Sequence, residues 1–322
     1  MRKLLLLLGL FLFVCSCNGN NEIDDLPGSE EDRPNVTHKD SISGEGSQPD
    51  SIPTDSIPED IVPDDSIPTP DMIDYSQPFS VVNAEGFALT YKMTADDECE
   101  LQASGKYTSY EGDIIIPAQI TVGEKTFRVI RLADYTFRNC AKIASVSIPW
   151  SVSNIGENVF DGCNKLSAIH VDAANTSYHS HEGVLYKTAA HSLMKCPALK
   201  DGSYDIPEGT QRIRLNAFRS GALTSITIPS SVISIGNSAF ENNGSLQSVV
   251  IGAGITRFNG WEFAYCSKLR HVYVSSSVPP ACAYRTFEGV NLPAATLYVP
   301  VGSKEAYQNA EYWNKFGSIV EQ

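Results

Sequence analysis

No stretch of this 322-residue chain is apolar for long enough to cross a bilayer as a helix. The longest candidate, residues 4–14, falls well short of the roughly 20 residues that a spanning helix needs. Basic residues are scarce: 24 Lys and Arg stand against 38 Asp and Glu, for a net charge of −14, and they form no cluster. That removes nucleic acid from the expected partners. No Walker, GxSxG or HExxH pattern occurs, so the common local signatures of an enzyme are missing. Carboxylates paired across a pocket would mark a glycoside hydrolase, and no such pattern is evident either. Neither an enzymatic activity nor a cofactor is expected. Cysteine is sparse, at eight residues, and Cys99, Cys196 and Cys282 lack metal-ligand spacing. No metal site is expected.

What the chain does contain is strongly segregated. Arg2 and Lys3 precede the apolar run, and a basic start followed by a short apolar core reads as a secretory signal. The run ends in Val14, Cys15, Ser16 and Cys17, which resembles a bacterial lipobox with Cys17 as the lipid attachment residue. The alternative is an ordinary signal peptide cut elsewhere. On the lipobox reading, 1–17 is a lipoprotein signal and the partner at this end is a membrane, reached through the lipid. The expected location is the bacterial cell envelope, at the outer membrane and exposed on the surface. Residues 18–78 carry sixteen acids against Arg33 and Lys39, which is already −14. From residue 79 onward 22 acids face 20 bases, so the charge belongs to this segment and not to a binding face. It is rich in Pro, Asp and Ser and almost free of aromatics, as in DSIPTDSIPEDIVPDDSIPTPD at 50–71. Such a composition buries too little apolar surface to offset its ordering entropy. It reads as a disordered tether.

The rest of the chain repeats itself. SITIPSSVISIGNSAFENNGSLQSV at 225–249 has close relatives at 145–169 and 248–272. Aligned on Phe137, Phe160, Phe218, Phe240, Phe263 and Phe287, the gaps are 23, 58, 22, 23 and 24. A fixed period in the twenties is the mark of a solenoid, in which no repeat can bury its apolar side without a neighbour. Two-residue alternation at Val146 and Ile148, Ile169 and Val171, Ile226 and Ile228, Val249 and Ile251, Val272 and Val274, and Leu297 and Val299 predicts one short strand per coil. Pro149, Pro207, Pro229 and Pro300 end strands, having no N–H for the ladder. Gly156 and Gly236 are expected to permit a bend, and the residues around each Phe to form a turn or short helical segment. One Phe per coil then gives a single aromatic spine. The predicted fold is a β-rich solenoid of 22–24-residue repeats over 126–322, with a β lead-in at 79–125. The 58-residue gap holds an insert at 172–205, whose GVLYK and LMKC runs predict a small hairpin; 300–322 are expected to cap the end.

The repeated line resembles the BspA-like leucine-rich repeats of bacterial surface proteins, whose pattern runs roughly IPxSVxxIGxxAFxxCxxLxxV. The likeness covers about 79–322, including LTYKMTADDECEL as a strand lead-in and TLYVPVGSKEAYQNAEYWNKF as the C-terminal end. It implies a leucine-rich-repeat adhesion or binding module at the cell surface, for a host or bacterial protein or a glycan. It carries over neither a ligand nor catalytic residues. An accessory role in a glycan-capture system for surface polysaccharide use is the other reading.

Individual residues sharpen this only so far. Cys140, Cys163 and Cys266 each stand three residues after a repeat Phe. Neighbouring coils would bring Cys140 and Cys163 within disulfide range, or each could fill its slot as a small buried side chain. His179 and His181 are the only close histidine pair, expected on an exposed loop, and 96–98 are expected to be a solvated turn. The outward strand positions are Ser147, His170, Thr227, Val250, Tyr273 and Tyr298, a row that becomes aromatic toward the C-terminus. His271 shares the face of Tyr273, while Trp150 and Trp261 depart from the repeat line. Exposed rings on a rigid ladder suit a protein or sugar ligand. Tyr273, His271, Tyr298, Trp150 and Trp261 are therefore the candidate ligand-binding residues. Alternatively Tyr298, Tyr307, Tyr312 and Trp313 simply close the solenoid.

Overall fold

The computed structural model describes residues 74–83, 85–103 and 110–322. The signal at 1–17, lipid attachment at Cys17 and the tether up to residue 73 lie outside the described residues. Among the described residues no helix is long and apolar enough to cross a membrane.

The lead-in is a sheet of β1 (Phe79–Val82), β2 (Ala88–Ala95), β3 (Glu98–Leu101), β5 (Gln119–Val122) and β6 (Lys125–Leu132), with β4 (Glu111–Ile115) leaving it to start the first ladder. Its order is β1-β2-β3-β6-β5; β3 and β6 pair in parallel and the other neighbours are antiparallel. Alternation in β2 buries Leu89 and Tyr91 on one face. Tyr75 lies against this sheet, its hydroxyl donating to the Val122 carbonyl at 3.2 Å and its ring 5.5 Å from that of Phe127. Asp96 and Asp97 form the exposed turn between β2 and β3.

Beyond it the chain winds as a repetition of short parallel strands. The longer strands are β7 (Lys142–Ile148) and β9 (Ala168–Val171), which follow β4, and then β13 (Asp201–Asp205), β15 (Ala222–Ile228), β17 (Ser248–Ile251), β18 (His271–Val274), β19 (Thr296–Val299) and β20 (Ser318–Glu321). Each expected alternation falls on one of them, with the two apolar residues inward. Proline follows β7, β15 and β19 directly and cuts them off. Shorter parallel pairings come from two-residue strands: β8 (Asn154–Ile155) pairs with β6, and β14 (Arg212–Ile213) with β16 (Ser234–Ile235).

The two glycines of the IG pair do not bend the chain through a positive φ. A Cβ on Gly156 would lie 2.6 Å from the Asp134 amide nitrogen, and one on Gly236 2.4 Å from that of Leu215. These glycines allow backbone to touch backbone between coils, while their own N–H groups donate to Leu132 and Ile213 at 2.9 and 2.8 Å.

The aromatic spine is not single. Phe137 stacks on Phe160 at 5.8 Å between centroids, and separately Phe218, Phe240, Phe263 and Phe287 stack at 4.8, 5.1 and 5.6 Å. The insert at 172–205 separates the two stacks, and the buried core divides into two clusters at the same place. Tyrosines from outside the Phe register lie at the near end of each: Tyr110 on Phe137 and Tyr204 on Phe218. The insert contains the expected hairpin, β11 (Val184–Lys187) with β12 (Ser192–Lys195), extended by β10 (Tyr178–His181) into an antiparallel meander. β12 then pairs in parallel with β14, so the insert hands the chain back to the solenoid. His179 and His181 sit on β10, not on a loop, with His179 stacked at 5.2 Å on Tyr186. Period-two placement on a paired strand explains why both remain exposed on one face.

At the C-terminal end, α1 (Lys304–Asn309) brings Tyr307 inward, and Trp313 is fully buried with its indole donating to the Pro280 carbonyl at 2.7 Å. These two rings close the core; Tyr298 stays out on the ladder.

Candidate binding surface on the strand ladder

Strand register decides which side chains meet. Asp205, Thr227, Val250, Tyr273, Tyr298 and Val320 are successive partners across β13, β15, β17, β18, β19 and β20. Two residues earlier on the same face, Ser203, Ser225, Ser248, His271, Thr296 and Ser318 form a second row. Inward residues between them are buried, so these rows present outward from a rigid sheet. The C-terminal half of the face is thus a strip of valine and tyrosine bordered by hydroxyls. Val320 and the hydroxyl row escaped the sequence reading because β20 lacks the repeat line and single serines carry no periodic signal.

Tyr273 and Tyr298 are stacked with centroids 4.3 Å apart and planes 8° from parallel. The Tyr298 hydroxyl and His271 Nδ1 are 3.4 Å apart. Partial burial first, and the neighbouring Tyr298 second, push the Tyr273 hydroxyl above its ordinary pKa. Two stacked rings held by neighbouring strands lose little entropy on meeting a ligand. Tyr273, His271 and Tyr298 therefore form one surface.

The two tryptophans stand elsewhere. Trp150, 47% exposed, lies in the turn after β7, two coils into the first ladder. Trp261 lies on the turn segment that carries the repeat Phe. There it joins a different arrangement, which rests on backbone geometry. In each coil the residues two before and two after the repeat Phe have positive φ: 135 and 139, 158 and 162, 216 and 220, 238 and 242, 261 and 265, 285 and 289. Asn, Ser and Gly fill most of these slots, as the left-handed region favours. Tyr135 (φ 62°), Trp261 (66°), Tyr265 (58°) and Arg285 (74°) do not fit that preference, and the last three fall in two neighbouring coils. A bulky residue held there costs on the order of 1–3 kcal/mol.

The slot three residues after each Phe also has a defined role. Cys163 donates from Sγ to the Phe137 carbonyl of the preceding coil at 3.0 Å, and Cys266 does so to Phe240 at 3.2 Å. Asn243 reaches both Phe218 and Phe240 carbonyls, at 2.8 and 2.7 Å. Gly221 leaves the room, since a Cβ there would meet Asn243 Oδ1 at 2.8 Å. Cys140 and Cys163 are both buried free thiols.

Six copies of the BspA type leucine rich repeat region match the chain, over residues 116–183 and 187–310. The chain belongs to the BspA-type leucine-rich-repeat family. A search of curated proteins found no match. Similar solved structures include a leucine rich cell surface protein from Faecalibacterium prausnitzii, at 18% identity over 76% of this chain and 95% of that one, with a TM-score of 0.42. A leucine rich repeat protein of T. pallidum is 25% identical over 58% of this chain and 82% of that one, with a TM-score of 0.39. Another from Bacteroides ovatus is 14% identical over 73% and 75%, with a TM-score of 0.38. The assignment rests on the repeat match and the coil geometry. BspA-type solenoids are generally non-catalytic scaffolds, and membership supports a repeat-based protein-binding role.

Proposed function

We propose that this BspA-type protein is a lipid-anchored surface binder that takes a macromolecular ligand, most directly a protein, on the C-terminal half of its long-strand ladder. The observation that carries the reading is the Tyr273–Tyr298 stack, flanked by Val250 and Val320 and bordered by Ser248, His271, Thr296 and Ser318. Rigid aromatic anchors beside small hydroxyl donors are the elements of a protein-binding hot spot. No Asp, Glu, Lys or Arg interrupts those two rows from β17 to β19. The acidic tether would hold this face clear of the membrane to which Cys17 is attached.

Two measurements test the two halves of this reading. Cys17→Ala should move the protein from the membrane fraction to the soluble one, because stable anchoring needs the acyl chains; unchanged membrane retention defeats the anchor. The purified chain, screened against arrays of host matrix proteins and bacterial surface proteins, should capture a ligand that a Tyr273→Ala, Tyr298→Ala double variant does not. Equal capture by both would move the site off the ladder.

A further inference from the structure

The turn segments of the last two complete coils carry an aromatic cluster that the repeat does not need. Trp261 and Arg285 occupy the same left-handed slot in neighbouring coils, where Asn158, Asn216 and Ser238 stand in others. The Arg285 guanidinium lies 4.6 Å from the ring centroid of Trp261 and 4.9 Å from that of Tyr284. Tyr265, in the slot held by Asn139 and Asn242 elsewhere, is 6.2 Å from Trp261 and donates to Glu288 at 3.2 Å. Glu288 also pairs with Arg285 Nε at 3.2 Å. Tyr284 and Tyr265 are exposed, at 69% and 41%. Beneath them Glu262 is wholly buried, where two sister coils carry alanine, and its carboxylate accepts the N–H of Gly260 at 2.9 Å. A buried acid thus braces the turn from which Trp261 projects.

We infer that Trp261, Tyr265, Tyr284 and Arg285 form a second binding site, for a neutral saccharide. Most other coils hold Asn, Ser or Gly at three of these positions, the first coil, with Tyr135, being the exception. Strained backbone at residues other than glycine clusters at sites kept for a ligand. Two exposed rings, Tyr265 and Tyr284, and the half-buried Trp261 offer flat apolar faces to the C–H faces of sugars. The planar Arg285 and Glu288 side chains beside them offer donors and acceptors for hydroxyls, and their charges cancel, so neither an acidic nor a basic partner is favoured. This surface lies on a different stretch of the coil from the ladder strip and does not depend on it.

The test is titration of the full-length chain against the hits of an array of neutral oligosaccharides. Trp261→Asn and Tyr265→Asn install residues that sister coils already hold in the same slots. Each should weaken saccharide binding at least tenfold while the melting temperature holds or rises, and Tyr273→Ala should leave it unchanged. Retention of no neutral glycan by the native chain overturns the inference, as does equal retention by the variants. Capture of acidic glycans or proteins alone at this surface also overturns it. If both Asn variants melt lower, the rings are structural and the inference fails.

Discussion

The thiol of Cys266 donates to the carbonyl of Phe240, 3.2 Å away in the preceding coil. At Cys163, Asn243 and Cys266 the slot three residues after the repeat Phe is therefore a stitch to the preceding coil, which a buried thiol makes weakly and an amide reinforces with a second bond inside its own coil. Asn243 bonds the carbonyls of Phe218 and Phe240, and Phe240 keeps that bond when Cys266 is lost. Asn243→Ala should thus cost about 2–3 kcal/mol, near the upper range for a buried polar group left unpaired, and Cys266→Ala only about 1. Urea unfolding of both variants decides it. Equal losses would mean the slot is read by volume alone.

Phe240 is sandwiched, with Phe218 and Phe263 stacked on its two sides at 4.8 and 5.1 Å. Truncating such a ring leaves a cavity between two coils, and Phe240→Ala should cost about 3–5 kcal/mol. Phe160→Ala damages a different stack, so its local unfolding should expose the lead-in side and leave amide protection in β17 to β19 intact. Hydrogen exchange that changes equally on both sides of the insert would restore the single spine.

The difference between one spine and two shows what the sequence could carry. The strands were legible because Val272 and Val274, or Ile226 and Ile228, alternate beside a proline. The Phe register was legible because stacking enforces a period. Two-residue strands such as β8 and β16 are too short for any alternation, and the Gly156 and Gly236 contacts depend on the coil beneath. The left-handed slots left a readable trace, in Asn139, Gly162, Asn216 and Asn242, but Trp261 and Arg285 hide it at the coils where it matters. Of the five candidate ligand residues, the ladder brings Tyr273, His271 and Tyr298 together; Trp150 and Trp261 sit on turns that single-sequence reading cannot position.

Glu262 gives the fold a pH dependence. Burial, the largest influence, raises its pKa above the ordinary carboxylate value, against the lowering by backbone donors at Gly260 and Asn259. A raised folded-state pKa means the protonated form is favoured. Its stabilisation is complete below about pH 4.3, the unfolded value, and fades as pH rises through the folded one. Glu262→Gln should remove that slope, so the variant gains melting temperature relative to the native chain as pH climbs from 4 to 7. Parallel curves for the two would show Glu262 ionised throughout.

The ladder face makes the last prediction, which turns on separating a site from a cap. Tyr298 pairs with Tyr273 on one side and Val320 on the other, while the closing rings, Tyr307 and Trp313, are buried beneath. Removing a half-exposed ring from a strand should leave the melting curve nearly unchanged, within the roughly 0.5 kcal/mol typical of surface changes. If the proposed ligand rests on the stack, Tyr273→Ala and Tyr298→Ala should each weaken binding by about 1–2 kcal/mol, enough to be read as a several-fold to thirtyfold change in Kd. The double variant should lose less than the sum, because each ring holds the other in its stacked pose. Thr227→Ala, two strands from Tyr273 in the same row, should change little. Tyr298→Ala that lowers stability and binding together would identify a cap. Neutral tyrosines combined with loss of binding on changes at Trp150 or in the 172–205 insert would place the ligand on the turns.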